Sequence, residues 1–276
     1  TRTLLHEAIP VTGALIATGG GSTGDGGDRP ASPYIISAQS DGTSRPQNIK
    51  TFSHAMFQSV YDYPFLSSSA NHIFDITAGF NSGSTSYYNE QLTADAALAA
   101  KKNSVYNQLA QVLSGYDVSG SVRPFDIDGD QAGGMKIENA IFMNFSRLLV
   151  KDEIKKGSFS MQVSINNTAT LRDHDGASNI KTITDHGAAT SYKVNSPAGE
   201  YGLLYTGSAA DQKPVGLIYY QAGVVVLNAG SGSADQYSVF DHHQNDWTSA
   251  GTNMELDHVF QTGTINAIAD GLRERI

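Results

Sequence analysis

The strongest constraint on what this chain can fold into is the stretch 201–228, where three apolar pieces, 202–205, 215–220 and 224–227, are separated by short runs of Gly, Ala, Asp, Gln and Pro. Apolar runs this short, bounded by turn formers, match strands better than helices. They predict a three-stranded meander whose second turn, around 221–223, is short enough for a tight hairpin. Upstream, Phe159, Met161, Val163 and Ile165 alternate with Ser158, Ser160, Gln162 and Ser164, the pattern of a half-buried strand. Ile141, Met143 and Phe145 alternate in the same way, and a turn is expected to follow them.

Helical periodicity appears in two places. From about Tyr88 the sequence becomes Ala-rich and charged, and Leu98, Val105, Leu109, Val112 and Leu113 fall on one helical face, with Gly115 placed for a left-handed C-terminal cap. This predicts a long helix over about 88–114. Near the end of the sequence, Thr264 is placed to N-cap an amphipathic helix carrying Ile265, Ile268, Leu272 and Ile276 on one face. The expected class is therefore α+β, mainly antiparallel β with one long amphipathic helix and a C-terminal helix. Four regions follow: a Gly/Ser-rich extended arm at 1–50, a mixed α/β region at 51–157, a β-rich region at 158–263 and the terminal helix at 264–276.

Composition narrows the function classes. Only 16% of residues are charged, while small polar residues are abundant, which suits strand-and-turn proteins that meet assembly partners. The net charge of −9 supplies no broad cationic field for phosphates, so nucleic acid is disfavoured as a partner. The pair Lys155 and Lys156 reads as a solvated turn. The chain has no cysteine, so disulfides and thiolate metal sites are excluded. The most apolar stretch, 215–227, is interrupted by Gly216 and Gly223 and falls short of the roughly 20 residues a spanning helix needs. No secretory signal is recognisable at the start, and because the first residue is Thr, an initiator Met is expected to have been removed or to lie outside the sequence.

Several motifs that carry chemistry elsewhere lack their context here. Gly19, Gly21 and Gly24 fit a dinucleotide-binding spacing, and Gly20, Ser22 and Gly24 fit a nucleophile elbow. Both mechanisms need a helix leaving the motif, and Gly26, Gly27, Pro30 and Pro33 cannot continue one. Asp126, Asp128 and Asp130 occupy positions 1, 3 and 5 of an EF-hand-like loop, but position 6 is Gln131 and position 12 is Ile137. The expected state is an Asp-rich turn held by Asx hydrogen bonds, with a weak calcium or magnesium site as the alternative. Histidines and carboxylates cluster at Asp173, His174 and Asp175, at Asp185 and His186, and at Asp241, His242, His243 and Asp246. None of these has the spacing of a known zinc motif, so no catalytic, cofactor-binding or metal-ligating residue is assigned and no cofactor is expected. A single Trp, Trp247, gives little basis for a carbohydrate platform.

Four segments carry a family likeness: YNQLAQVLSGY at 106–116, IFMNFSRLLVKDEIKKGSF at 141–159, VGLIYYQAGVVVL at 215–227 and TINAIADGLRERI at 264–276. Together they resemble virion structural proteins of large contractile-tailed bacteriophages, notably those that infect cyanobacteria. The likeness covers the last two-thirds of the chain and leaves the Gly-rich first third unmatched. Members of that family continue past the R-x-R-I ending into further strands, whereas this sequence stops at Ile276.

The resemblance implies a non-catalytic structural subunit of the tail or baseplate, assembled in the host cytoplasm into the virion. Its partners would be other virion proteins and further copies of itself in a homo-oligomer, with no membrane. Two other readings stand beside it. A receptor-binding or decoration module would display aromatic patches, for which Tyr201, Tyr205, Tyr219 and Tyr220 are candidates. A virion-associated metal-dependent hydrolase or cell-wall glycosidase would bring the histidines and carboxylates into one pocket. For the structural reading, the expected contact regions are the arm at 19–33, the outer face of the long helix at 101–111, and the terminal helix with Arg273 and Arg275.

Overall fold

A computed structural model describes residues 3–5, 48–62, 65–84, 96–146, 151–164, 180–206, 213–230, 238, 240, 256–273 and 276. The fold is α+β and mainly antiparallel, built on one open ten-stranded sheet. Strands β2 (Ile49–Thr51), β3 (Gln58–Tyr61) and β4 (His72–Phe80) form a meander from one edge, and β5 (Asn139–Phe145) adds to β4. From the other edge, β7 (Ser160–Ser164), β8 (Ile180–Thr184), β10 (Gly199–Thr206), β11 (Pro214–Tyr219) and β12 (Val224–Asn228) return toward the middle. The two halves join where β12 pairs antiparallel with β5. Strand β9 (Lys193–Ser196) folds back onto β10. A separate two-stranded parallel ladder joins β1 (Leu4–Leu5) to β6 (Glu153–Ile154).

The predicted meander at 201–228 is β10, β11 and β12, with Tyr219 opposite Val224 across the short hairpin. Gly223 closes that hairpin at φ 69°, and its N–H donates to Tyr219 O at 2.8 Å. The half-buried strand upstream is β7, in which Met161 and Val163 are buried; Ile165 lies outside the described residues.

Helices cover both faces of the central strands, so these strands are apolar on both sides. One face carries Phe142, Leu217, Tyr219, Val224 and Val226, packed with Tyr106 and Leu113 of α1 (Ala96–Leu113) and with Phe125 and Ile137 of the loop after it. The opposite face carries Ile76, Ala78, Ile141, Met143, Ile218 and Val225. Packed in the same layer are Val259 and Phe260 of α3 (Leu256–Thr262) and Ile268 and Leu272 of α4 (Ile265–Arg273). A short turn of helix, α2 (Ala188–Ser191), precedes β9.

Helix α1 departs from the sequence reading in how it is rotated. The residues it buries are Ala99, Lys102, Val105, Tyr106, Ala110 and Leu113, whereas Val112 of the predicted stripe is 63% exposed. The cause is Gly79 on β4, where a Cβ would lie only 2.4 Å from Lys102 O and 2.9 Å from Tyr106 N. The helix backbone at Lys102 and Tyr106 lies directly on the strand, which only a glycine on β4 allows and which turns the buried face by about one position. The predicted start near 88 falls on residues outside those described. The end is as expected: Gly115 is left-handed at φ 80°, and its N–H donates to Ala110 O at 2.9 Å.

The terminal helix is also capped as its sequence suggests. Thr264 Oγ1 accepts the Ala267 N–H at 3.1 Å, and Ile265, Ile268 and Leu272 are buried. Arg273, expected on a contact surface, is 4% exposed and its guanidinium bonds Asp270 at 2.5 Å, so it belongs to the interior. Arg275 lies outside the described residues.

Candidate functional site

The Asp-rich loop forms a closed turn between Phe125 and Ile137, whose backbones bond at 2.9 Å, with Asp126 bridged to Lys136. Ligand oxygens of Asp126, Asp128 and Asp130 lie within 4.8 Å of one another. As expected, Asx bonds shape the turn: Gln131 N–H donates to Asp126 at 2.7 Å and Ala132 N–H to Asp130 at 2.7 Å. Gln131 takes φ 60°, the left-handed backbone that a calcium loop normally gives to a glycine at this position. Position 12, Ile137, is fully buried and offers no ligand.

The loop carries a cation of its own. Lys136 Nζ lies 2.9 Å from Asp126 Oδ1 and donates to the carbonyls of Ala132 and Gly133, both at 2.7 Å. That ammonium has an oxygen environment resembling that of a bound metal ion, and it neutralises one of the three carboxylates. Burial is the main reason the Asp126 pKa is pushed up to about 6, reinforced by Asp130 and opposed by Lys136. The neighbouring Asp130 is lowered, chiefly by the Ala132 N–H.

Of the histidine and carboxylate groups, only Asp185 and His186 fall within the described residues. Asp185 is 1% exposed and accepts hydrogen bonds from Gly157 N–H at 2.6 Å, Phe159 N–H at 3.0 Å and the Tyr220 hydroxyl at 3.0 Å. Burial raises its pKa against the pull of those bonds. It joins the β6–β7 turn to the ends of β8 and β11. Lys156, read from sequence as a solvated turn residue, instead reaches Glu200 at 2.5 Å and lies over the rings of Tyr192 and Tyr220. Residues 19–33, 173–175 and 241–247, which hold the glycine motifs and the other clusters, lie outside the described residues.

A Ser, Asp and His group that sequence reading missed lies on β3 and β4. Ser59 Oγ donates to Asp75 Oδ1 at 2.6 Å, and His72 Nε2 lies 2.7 Å from the same oxygen. A bulge at Val60/Tyr61 shifts the register, which lets His72 and Asp75, three residues apart, meet on one side of the strand. Nucleophile activation needs the imidazole between hydroxyl and carboxylate. Here the carboxylate stands between them, so the arrangement ties strands together.

Exposed apolar side chains gather on two neighbouring segments. Among the described residues, seven large apolar side chains are exposed, and five of them, Val112, Tyr116, Val118, Tyr192 and Val194, lie on two segments that meet. The end of α1 and the following loop form one segment, and β9 with its lead-in forms the other. Ser196 Oγ donates to Leu113 O at 2.5 Å, and Pro197 lies against Gly115.

The tip of the first segment is held in shape. Tyr116 bridges to Val122, and the Asp117 carboxylate accepts Ser119 N–H at 2.8 Å, Ser119 Oγ at 2.7 Å and Ser121 N–H at 2.9 Å. These bonds, led by the Ser119 side chain, hold Asp117 below the usual carboxylate range. They present Val118 at full exposure on a braced turn. By contrast, Tyr201, Tyr219 and Tyr220, candidates for an aromatic display, are at most 1% exposed and belong to the core.

Comparisons with protein-family models, with curated proteins and with solved structures find no match. Among the described residues, no helix is long and apolar enough to cross a membrane.

Proposed function

We propose that this chain is a non-catalytic structural subunit of a phage virion, of the tail or baseplate, that works through repeated contacts with further copies and with other virion proteins. The observation that carries the reading is the braced seam between α1 and β9, where Val112, Tyr116, Val118, Tyr192 and Val194 are exposed. Exposed apolar side chains gathered on two segments that meet offer a surface that contact with another protein would cover. The exposed Lys101, Gln108 and Gln111 on the outer face of α1 extend the same side of the helix with polar groups. The family likeness of the segments at 106–116, 141–159, 215–227 and 264–276 supplies the virion setting, and assembly in the host cytoplasm follows from it.

The paired variant V118E/V194E tests this reading. Both sites are strongly exposed, so the fold should keep its stability while self-association weakens at least tenfold in sedimentation velocity. Unchanged association of a folded V118E/V194E protein would remove the seam as a contact surface.

A further inference from the structure

The two segments of the seam carry the same triplet with the charge reversed. After α1 it is Tyr116, Asp117 and Val118, and at the start of β9 it is Tyr192, Lys193 and Val194. In each triplet the tyrosine and the valine are exposed, so each charge is flanked in sequence by two apolar side chains that reach solvent. The segments touch where Ser196 Oγ donates to Leu113 O and where Pro197 lies against Gly115, so both triplets stand within a few residues of one join.

Neither charge is matched inside the chain. The three bonds that brace the turn at 117–121 all fall on Asp117 Oδ1, which leaves Oδ2 clear of the turn. Arg123, whose charge reaches Asp117, is committed to Gln131 Oε1 and Tyr116 O. Among the described residues Lys193 makes no ion pair, with Asp117 or with any other carboxylate, whereas Lys136 and Lys156 are paired with Asp126 and Glu200.

A net charge of −9 makes copies of the chain repel one another, so a contact between copies needs opposite charges placed locally. Turned about a two-fold axis, the seam supplies them twice, because each copy brings one segment of either sign. The match of one segment to the other identifies the occupant as a second copy.

We propose that the seam is a self-complementary two-fold interface, in which Asp117 of one copy pairs with Lys193 of a second copy and the reverse pair forms across the axis. Tyr116, Val118, Tyr192 and Val194 close around both pairs. The proposal rests on the reading of the seam as a contact surface and adds its partner and its register.

A charge cycle on the intact chain, read by sedimentation velocity with folding checked by circular dichroism, tests it. K193E sets like charges against each other at both contacts and should weaken pairing at least tenfold. D117N keeps the Oδ1 acceptor that braces the turn and removes the charge. It should weaken the parent yet strengthen pairing of K193E, because there it relieves two repulsions. If K193E does not fold, K193Q takes its place, and D117N should then cost less than it costs the parent. In native mass spectrometry, D117N mixed with isotope-labelled K193E should give mixed pairs in preference to either like pair.

The same effect of D117N with and without the Lys193 substitution would overturn the charge pairing, and the contact reading would stand if V118E/V194E still dissociates the parent. Mixtures that grow into alternating species longer than two would overturn the two-fold arrangement. A parent that is monomeric throughout, or whose association neither K193E nor V118E/V194E changes, would overturn both.

Discussion

Gly79 and Asp126 show how single positions set this fold. At Gly79 a methyl group would press into the backbone of α1 at Lys102 and Tyr106, and a backbone cannot rotate away as a side chain can. G79A should therefore destabilise the protein by about 1–3 kcal/mol, read as a lower denaturant midpoint at unchanged slope. Asp126 adds a pH dependence of known sign. Its pKa is about 6 in the fold against 3.8 ordinarily, so between those values the native state holds a proton that the unfolded chain releases. The stability it contributes is complete below about pH 4 and is lost as pH rises toward 6. The denaturation midpoint should fall across that window, and D126N should flatten the fall. Little at either residue was legible beforehand: strand glycines have no signature for a close approach, and the Lys136 ammonium is ten residues from Asp126 in sequence.

Elements with a local signal were the most legible. The meander of β10, β11 and β12, the alternation in β7, the Gly115 cap and the Thr264 cap all follow from propensity and periodicity within a few residues. Helix α1 was read as a helix but rotated, because periodicity weighs large apolar residues, whereas the close approach at Gly79 sets Lys102 and Tyr106 against β4 and turns Ala99 and Ala110 inward with them. The true face makes opposite predictions for neighbouring positions. A110L should cost about 1–3 kcal/mol by overpacking. V112E, at a site 63% exposed, should stay within about 0.5 kcal/mol of the parent in thermal or chemical denaturation. The reverse ranking would restore the stripe read from sequence. The bulge that brings His72 to Asp75 and the pairing of β1 with β6 had no local signal.

At the scale of the molecule, two antiparallel arrays grow from opposite edges and meet at β5 and β12, whose partners are some eighty residues apart. Such pairing is set by the match of two buried faces, which is why the sequence predicted the class without the strand order. Helices cover both faces of the central sheet, the described strand order ends at β2 and β7, and exposed apolar groups among the described residues concentrate at the α1–β9 seam. On the proposed reading, that seam is the surface by which the chain meets copies of itself and neighbouring proteins. Sedimentation velocity of the intact chain over its full soluble concentration range tests that claim most directly. Discrete multimers that grow with concentration are predicted, and a single monomeric species at every concentration would contradict self-assembly.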